Sequence, residues 1–188
     1  MVTKSETTAI VTQPKTAAVS RPSFKRWFRH FMHMPAAKRY FNKQDQHAIA
    51  HAVEQAEQGH IGEIQVVIEG HIPAHQAYYQ DVRGRAEQLF AELGVWDTEL
   101  NSGVLLYLNL CERKVEVVID RGIKKATQQQ VWDSICLMMI EQMKQQQYRQ
   151  AVVQGVFEIG KALAEFYQHA VPDKKNELSN APIILGYV

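Results

Sequence analysis

A chain of 188 residues, 46% hydrophobic and 22% charged, has the length of one domain and the apolar content to bury about two-thirds of its unfolded surface. This composition excludes a disordered or fibrous polymer, two cysteines exclude a disulfide framework, and no apolar run reaches the ~18 residues of a spanning helix. The net charge of +1 conceals a polarity: residues 1–43 carry nine Lys/Arg and one acid, residues 44–188 twelve Lys/Arg and nineteen acids. A basic arm precedes an acidic body.

Residues 1–22 lack periodicity, hold Pro14 and Pro22, and read as a flexible tail. They contain no continuous apolar stretch of the signal-peptide kind, so the chain is expected to stay in the cytoplasm. Residues 23–41 form a basic amphipathic helix and a linker. Ser23 is a plausible N-cap, and Phe24, Trp27, Phe28 and Phe31 follow i, i+3, i+4, i+7 as one stripe. Lys25, Arg26, Arg29, His30 and His33 take much of the remaining surface, and Pro35 ends the segment. Seven basic residues and no acid lie between Arg21 and Lys43. Eleven helical residues extend only about 17 Å, too short to cross a bilayer but suited to lying in its interface. Phe24, Lys25, Arg26, Trp27, Phe28, Arg29 and Phe31 are therefore predicted to contact an anionic membrane surface on the inner side, or a membrane-protein partner. The same stripe equally suits packing on the domain's own sheet or on a second subunit, which leaves the oligomeric state open. Nucleic acid is disfavoured by the acidic body.

An α/β domain is predicted over residues 42–170. A helix should run from Asn42 or Gln44 to Gln58, with Ile49, Val53 and Ala56 inward and Gly59 as its stop. His47 and His51 have a zinc-capable i, i+4 spacing but lie off the apolar stripe, so an exposed polar face is the better reading. Glu63–Glu69 is β-branched and alternating, hence a strand. His71 and His75 flank Pro73 in a solvated connection, and helical spacing returns from Ala74 to Leu93 before Gly94. Gly103–Leu110 is nearly all apolar, as a central strand covered on both faces would be. Lys114–Asp120 places Val115, Val117 and Ile119 on one face and reads as a half-exposed neighbour. The Cys111-Glu112-Arg113 connection is short enough only for an antiparallel hairpin.

Two helices, about Gln128–Met143 and Tyr148–Gln168, close the domain. Cys111 and Cys136 sit in apolar segments and read as small buried side chains. Residues 171–188 form a polar tail ending in an apolar octapeptide, Ala181–Val188, suited to docking. The order β-α-β-β-α-α, with a parallel right-handed crossover between the first two strands, gives a small mixed sheet layered with helices.

That topology brings polar groups to one end. Parallel first and second strands start together at Glu63 and Gly103, and the third runs back to finish there at Asp120, Arg121 and Gly122. The loop Trp96–Ser102 feeds the same place. Glu63, Asp97, Glu99, Asn101 and Asp120 are thus candidate ligands for a hard divalent cation, Ca2+ or Mg2+. The Asp97-x-Glu99-x-Asn101 spacing lacks the glycine and distal glutamate of an EF-hand, and the alternative is a solvated loop whose Asp97 organises a turn.

These segments carry a family resemblance. Gly62–Glu69, Asn101–Leu108, Arg113–Ile123 and the final helix pair resemble the TPM-domain family, in particular a short bacterial branch that shares Val-Trp-Asp-Thr-Glu (95–99) and a basic aromatic N-terminal segment. The resemblance covers roughly residues 24–168. It implies an αβα sandwich, divalent-cation binding and acid phosphatase activity in some members, and association with membranes or membrane-protein maintenance. Three departures stand out. Ser102 interrupts the Asn-Gly step between Asn101 and Gly103, Ile61 replaces an arginine, and Asp120-Arg121-Gly122 replaces a Gly-x-Gly ending.

A phosphatase would use Asp97 or Asp120 to hold a metal, Arg121 to bind phosphate, and a metal-bound water to attack. The sequence has no cysteine–arginine phosphatase loop, no Asp-x-Asp pair and no Gly-rich phosphate loop. The first reading is therefore a non-catalytic accessory domain, with a metal-dependent phosphomonoester hydrolase as the alternative.

Overall fold

Side-chain alternation along the strands divides this chain into two apolar layers with a sheet between them. The computed structural model of the protein describes residues 8–9, 20–124, 128–167 and 176–186. In chain order the elements are Thr8–Ala9 (β1), Phe24–Met32 (α1), Ala37–Tyr40 (α2), Lys43–Ala56 (α3), Glu63–Glu69 (β2), Ala74–Tyr79 (α4) and Val82–Glu92 (α5). Gly103–Asn109 (β3), Lys114–Ile119 (β4), Arg121–Lys124 (α6), Gln129–Lys144 (α7), Tyr148–Phe166 (α8) and Ile183–Leu185 (β5) follow. The strand order is β1-β4-β3-β2-β5. β2 pairs in parallel with β3 from Glu63↔Gly103 to Glu69↔Asn109, and β3 pairs antiparallel with β4. The central trio therefore follows the predicted topology.

One sheet face carries Ile64, Val66, Ile68, Val104, Leu106, Leu108, Val115, Val117 and Ile119 into a core shared with Ile49 and Val53 of α3, Trp132 and Met139 of α7, and Val152, Val156 and Ile159 of α8. Val67, Leu105, Tyr107 and Val118 point the other way, onto Ala86, Leu89 and Phe90 of α5. The result is an αβα sandwich. Cys111 and Cys136 are buried free thiols, and burial pushes both above the usual thiol range.

Three local expectations are corrected, and the docking expected of the C-terminal octapeptide is observed. The stretch 74–93 is two helices, not one. Gln80 is extended and Asp81 caps α5 by accepting from the Gly84 N–H at 2.8 Å. β4 is not half-exposed: Glu116 is 2% exposed and lies 3.5 Å from Arg83 of α5, which covers the strand's second face. Within residues 1–22, Thr8–Ala9 pairs in parallel with Val118–Ile119 as an edge strand, and the remainder of 1–19 lies outside the described residues. The apolar octapeptide docks, through Ile183–Leu185, as the opposite edge strand beside Val67–Glu69.

Among the described residues no helix is long and apolar enough to cross a membrane.

Candidate functional site

Two regions at opposite ends of the sheet contain the predicted site residues. At the amino end of β2 and β3, close backbone approach fixes the loop geometry. A Cβ on Gly103 would meet the Val95 carbonyl oxygen at 1.9 Å, so only glycine lets the loop 95–102 close onto the strand. The loop is held by its own polar groups. The Ser102 N–H donates to Thr98 Oγ1 at 2.9 Å, and the Ser102 hydroxyl donates to the Ile61 carbonyl at 2.7 Å. Asn101 sits at φ 54°, in the left-handed region that asparagine tolerates better than most residues.

The predicted ligands share this end but not one point. Asp97 and Glu99 are exposed. The Glu99 amide donates to the Glu177 carboxylate at 3.0 Å, and Glu63 accepts from the Leu178 amide at 3.4 Å. Asn101 accepts from Arg121 Nε at 3.0 Å, which ties the predicted phosphate-binding guanidinium to a predicted cation ligand. Asp120 is 5% exposed. One of its oxygens accepts the Arg121 amide, and the other, Oδ2, is buried without a hydrogen-bond partner among the described residues. Burial raises its carboxyl above the usual range, against the pull of the Arg121 amide and charge. Among the described residues no three His, Cys, Asp or Glu side chains gather closely enough to hold an ion.

Two further groups belong here that periodicity did not reveal. Tyr167, one residue beyond α8, has a buried hydroxyl without a partner among the described residues. Burial and the Asp120 charge push it to about 12. Glu57, at the end of α3, accepts the Ile64 amide at 2.8 Å, and burial together with Glu63 raises its carboxyl to about 8. Its position just before the Gly59 stop was the only sequence signal.

At the carboxyl end of β2 and β3, helix α1 is docked in the opposite sense to an ordinary amphipathic helix. Its polar face is the one turned inward. The Ser23 amide donates to Tyr78 O at 2.8 Å, Arg26 Nε to Ala77 O at 2.5 Å, and Arg26 Nη2 to Tyr78 O at 3.0 Å. These are the last carbonyls of α4, which have no intrahelical donors, so a guanidinium at that helix's negative end is doubly favourable. Arg29 pairs with Glu112 at 2.9 Å. His30, read from sequence as part of the polar surface, is 0% exposed. Its Nδ1 accepts the Ile72 amide at 3.1 Å, and its Nε2 lies 3.4 Å from Glu112.

The aromatic stripe consequently faces away from the body. Phe24 is 68% exposed, Phe28 50%, Phe31 53% and Met32 65%. Trp27 is half-buried, stacked between Phe24 and Phe31 with centroids 4.8 and 5.3 Å away. Lys25 is exposed beside them, as are Arg21, Lys38 and Arg39. Of the predicted contact residues, Phe24, Lys25, Phe28 and Phe31 face outward, whereas Arg26 is committed to α4. Three phenylalanine rings at these exposures leave roughly 350 Å2 of apolar surface, the size of the largest apolar patch on a typical monomer, which is often functional. His47 and His51 are exposed on α3, as expected of a polar face.

Comparison with known proteins agrees with this architecture. A match to the TPM domain spans residues 36–162. The BA42 protein from the psychrophilic bacterium Bizionia argentinensis, solved by NMR, is similar in three dimensions, with a TM-score of 0.66 at 28% sequence identity. That likeness covers 77% of this chain and 94% of the BA42 chain. No curated protein matches the sequence. With the domain match covering well over half of its length, the chain belongs to the TPM-domain family.

Proposed function

We propose that this TPM domain is a non-catalytic accessory module that docks peripherally on an anionic membrane surface through α1 and offers its acidic end to a divalent cation, Ca2+ or Mg2+. The observation that carries the reading is the inverted docking of α1: its polar face is used up on α4 and Glu112, and its aromatic face is left outward. Exposed cations around an apolar patch suit anionic lipid, where each is worth about 1 kcal/mol. Seven-residue strands separate the two ends by about 20 Å, so a domain lying on α1 would hold Asp120 and its loop away from the lipid.

Cosedimentation of the full chain with phosphatidylglycerol-containing vesicles tests the docking. Retention at low salt, lost on replacing Phe24, Phe28 and Phe31 by serine without a change in melting temperature, is the expected result. A parent chain that stays in the supernatant, or a triple variant that pellets equally, would overturn it and turn attention to a protein partner. For the cation, an ion at about 100 times its dissociation constant adds about 2.7 kcal/mol. Calcium or magnesium should therefore raise the melting midpoint, and Asp120→Asn should remove that rise.

A metal-dependent phosphomonoester hydrolase is the second reading, favoured by the buried Oδ2 of Asp120, which has no hydrogen-bond partner among the described residues. Metal-dependent release of phosphate from p-nitrophenyl phosphate, abolished by Asp120→Asn, would establish it in place of the non-catalytic role.

A further inference from the structure

Beside the end of α1 lies a cavity of about 360 Å3, bounded by the β3–β4 hairpin and the α7–α8 turn and within the size range of small-ligand sites. It lies at the carboxyl end of β3, opposite the acidic loop. Its floor is apolar, formed by Leu108, Leu110, Ile140 and Met143. Tyr40 and Tyr148 make one wall, edge to face with ring centroids 4.8 Å apart. Around the rim stand Arg113, Lys114 and Lys144, with His33 from the residue that ends α1.

The neighbouring acids offset this rim only in part. Glu112 is shared between Arg29 at 2.9 Å, His30 at 3.4 Å and Lys114 at 3.9 Å. Glu141 meets Lys144 at 2.5 Å, but both are well exposed, where such pairs contribute little. Arg113 has no ionic partner among the described residues. The backbone adds an independent sign: Arg113 and Gln146, both lining the cavity, hold φ values of 54° and 63°. Such positions favour glycine, so long polar side chains are kept there at a conformational cost.

An apolar floor beneath a cationic rim matches a molecule with a negative head and a hydrocarbon chain. We propose that this cavity binds a single anionic phospholipid, its phosphate at Arg113, Lys114 and Lys144 and the first part of an acyl chain against Leu108, Ile140 and Met143. The inference rests on the membrane-docking reading for the source of the lipid, although the two use different residues. α1 contributes apolar area to the bilayer surface, and the cavity selects one charged headgroup from it.

The test is calorimetric titration of the full chain with dihexanoyl phosphatidylglycerol below its micelle concentration. Saturable binding is expected, with inorganic phosphate and dihexanoyl phosphatidylcholine each at least tenfold weaker. The double variant Arg113→Gly/Lys144→Gln should lose at least tenfold in affinity, with its melting temperature confirming that it folds. The serine triple variant of α1 should keep monomeric lipid binding even where vesicle binding is lost, which separates failure of the cavity from failure of the docking helix. Equal affinity for inorganic phosphate would reduce the cavity to a simple anion site and overturn the proposal. So would absent saturation, or unchanged affinity in the folded double variant.

Discussion

Arg85 on α5 and Glu69 at the end of β2 form a deeply buried ion pair, and replacing Arg85 by methionine is the sharpest test of how this end of the sheet is held. Glu69 is 1% exposed and accepts from Arg85 at 2.9 and 3.2 Å and from the Tyr107 hydroxyl, which in turn accepts from Asn109 at 3.0 Å. Burial and the Glu69 charge push the Tyr107 phenol well above its usual range, so it remains a donor. Arg85→Met preserves most of the packed stem but leaves a carboxylate without its cation. Breaking a buried pair in this way costs about 3–5 kcal/mol, whereas replacing both partners is far less harmful. Urea unfolding should therefore show a loss of about 3–5 kcal/mol for Arg85→Met at unchanged denaturant slope. The double variant Glu69→Gln/Arg85→Met should recover at least ~2 kcal/mol of that through the coupling of neighbouring sites. A loss under about 1 kcal/mol for Arg85→Met, or a double variant equal to the sum of its singles, would refute the assignment of a desolvated, coupled pair.

Glu57 has a folded pKa raised to about 8 from 4.5, so the folded state binds the extra proton and stability falls as pH rises between those values. Glu57→Gln should raise the melting temperature at pH 8 and have little effect at pH 4, a difference that thermal scans at the two pH values would resolve. Glu112 behaves in the opposite sense: His30 beside it, with Arg29 and Lys114, holds its carboxyl below the usual range against burial. Its contribution is present above the unfolded value near 4.5 and is lost as pH falls through the lower folded value. Protection factors of the α1 amides (exchange rates corrected for the intrinsic pH dependence) should fall there, and Glu112→Gln should lower them in the same way at pH 7. Gly103→Ala forces a methyl group into the Val95 carbonyl and should cost more than about 3 kcal/mol in chemical denaturation.

Strand and helix periods made the central architecture legible because β2, β3 and the helices α3, α7 and α8 are buried along clear faces. What escaped the sequence has a common physical origin in competition among tertiary contacts. An i, i+3, i+4, i+7 stripe identifies the apolar side of α1 but not whether the core has room for it. Here the orphan carbonyls of α4 and the Glu112 carboxylate captured the polar side instead. Alternation suggested that Glu116 faces solvent, yet Arg83 reaches it from a neighbouring helix. Ala74–Leu93 kept helical spacing through a break imposed by Asp81 and by contacts from Ser23 and Arg26. At the acidic end, strand direction alone predicted the shared location of Glu63, Asp97, Glu99 and Asp120. It carried no information on where the carboxylates point, nor on Tyr167 and Glu57, which arrive from helix ends.

The two short edge strands bear on the sheet's capacity for self-association. A sheet whose central strands are buried and β-branched would present bare rows of amides and carbonyls at both margins, a template for pairing with another copy. Ile183–Leu185 occupies the margin of β2 at Val67–Glu69, with the Gly70 amide donating to Leu185 O at 3.0 Å, and Thr8–Ala9 occupies the margin of β4. Both covers are only two or three residues long and come from segments remote in sequence from the strands they shield. Trimming either segment would leave most of the sandwich core in place, Ile184 excepted, while uncovering an adhesive margin. A shortened chain should therefore fail by aggregating before it fails by unfolding.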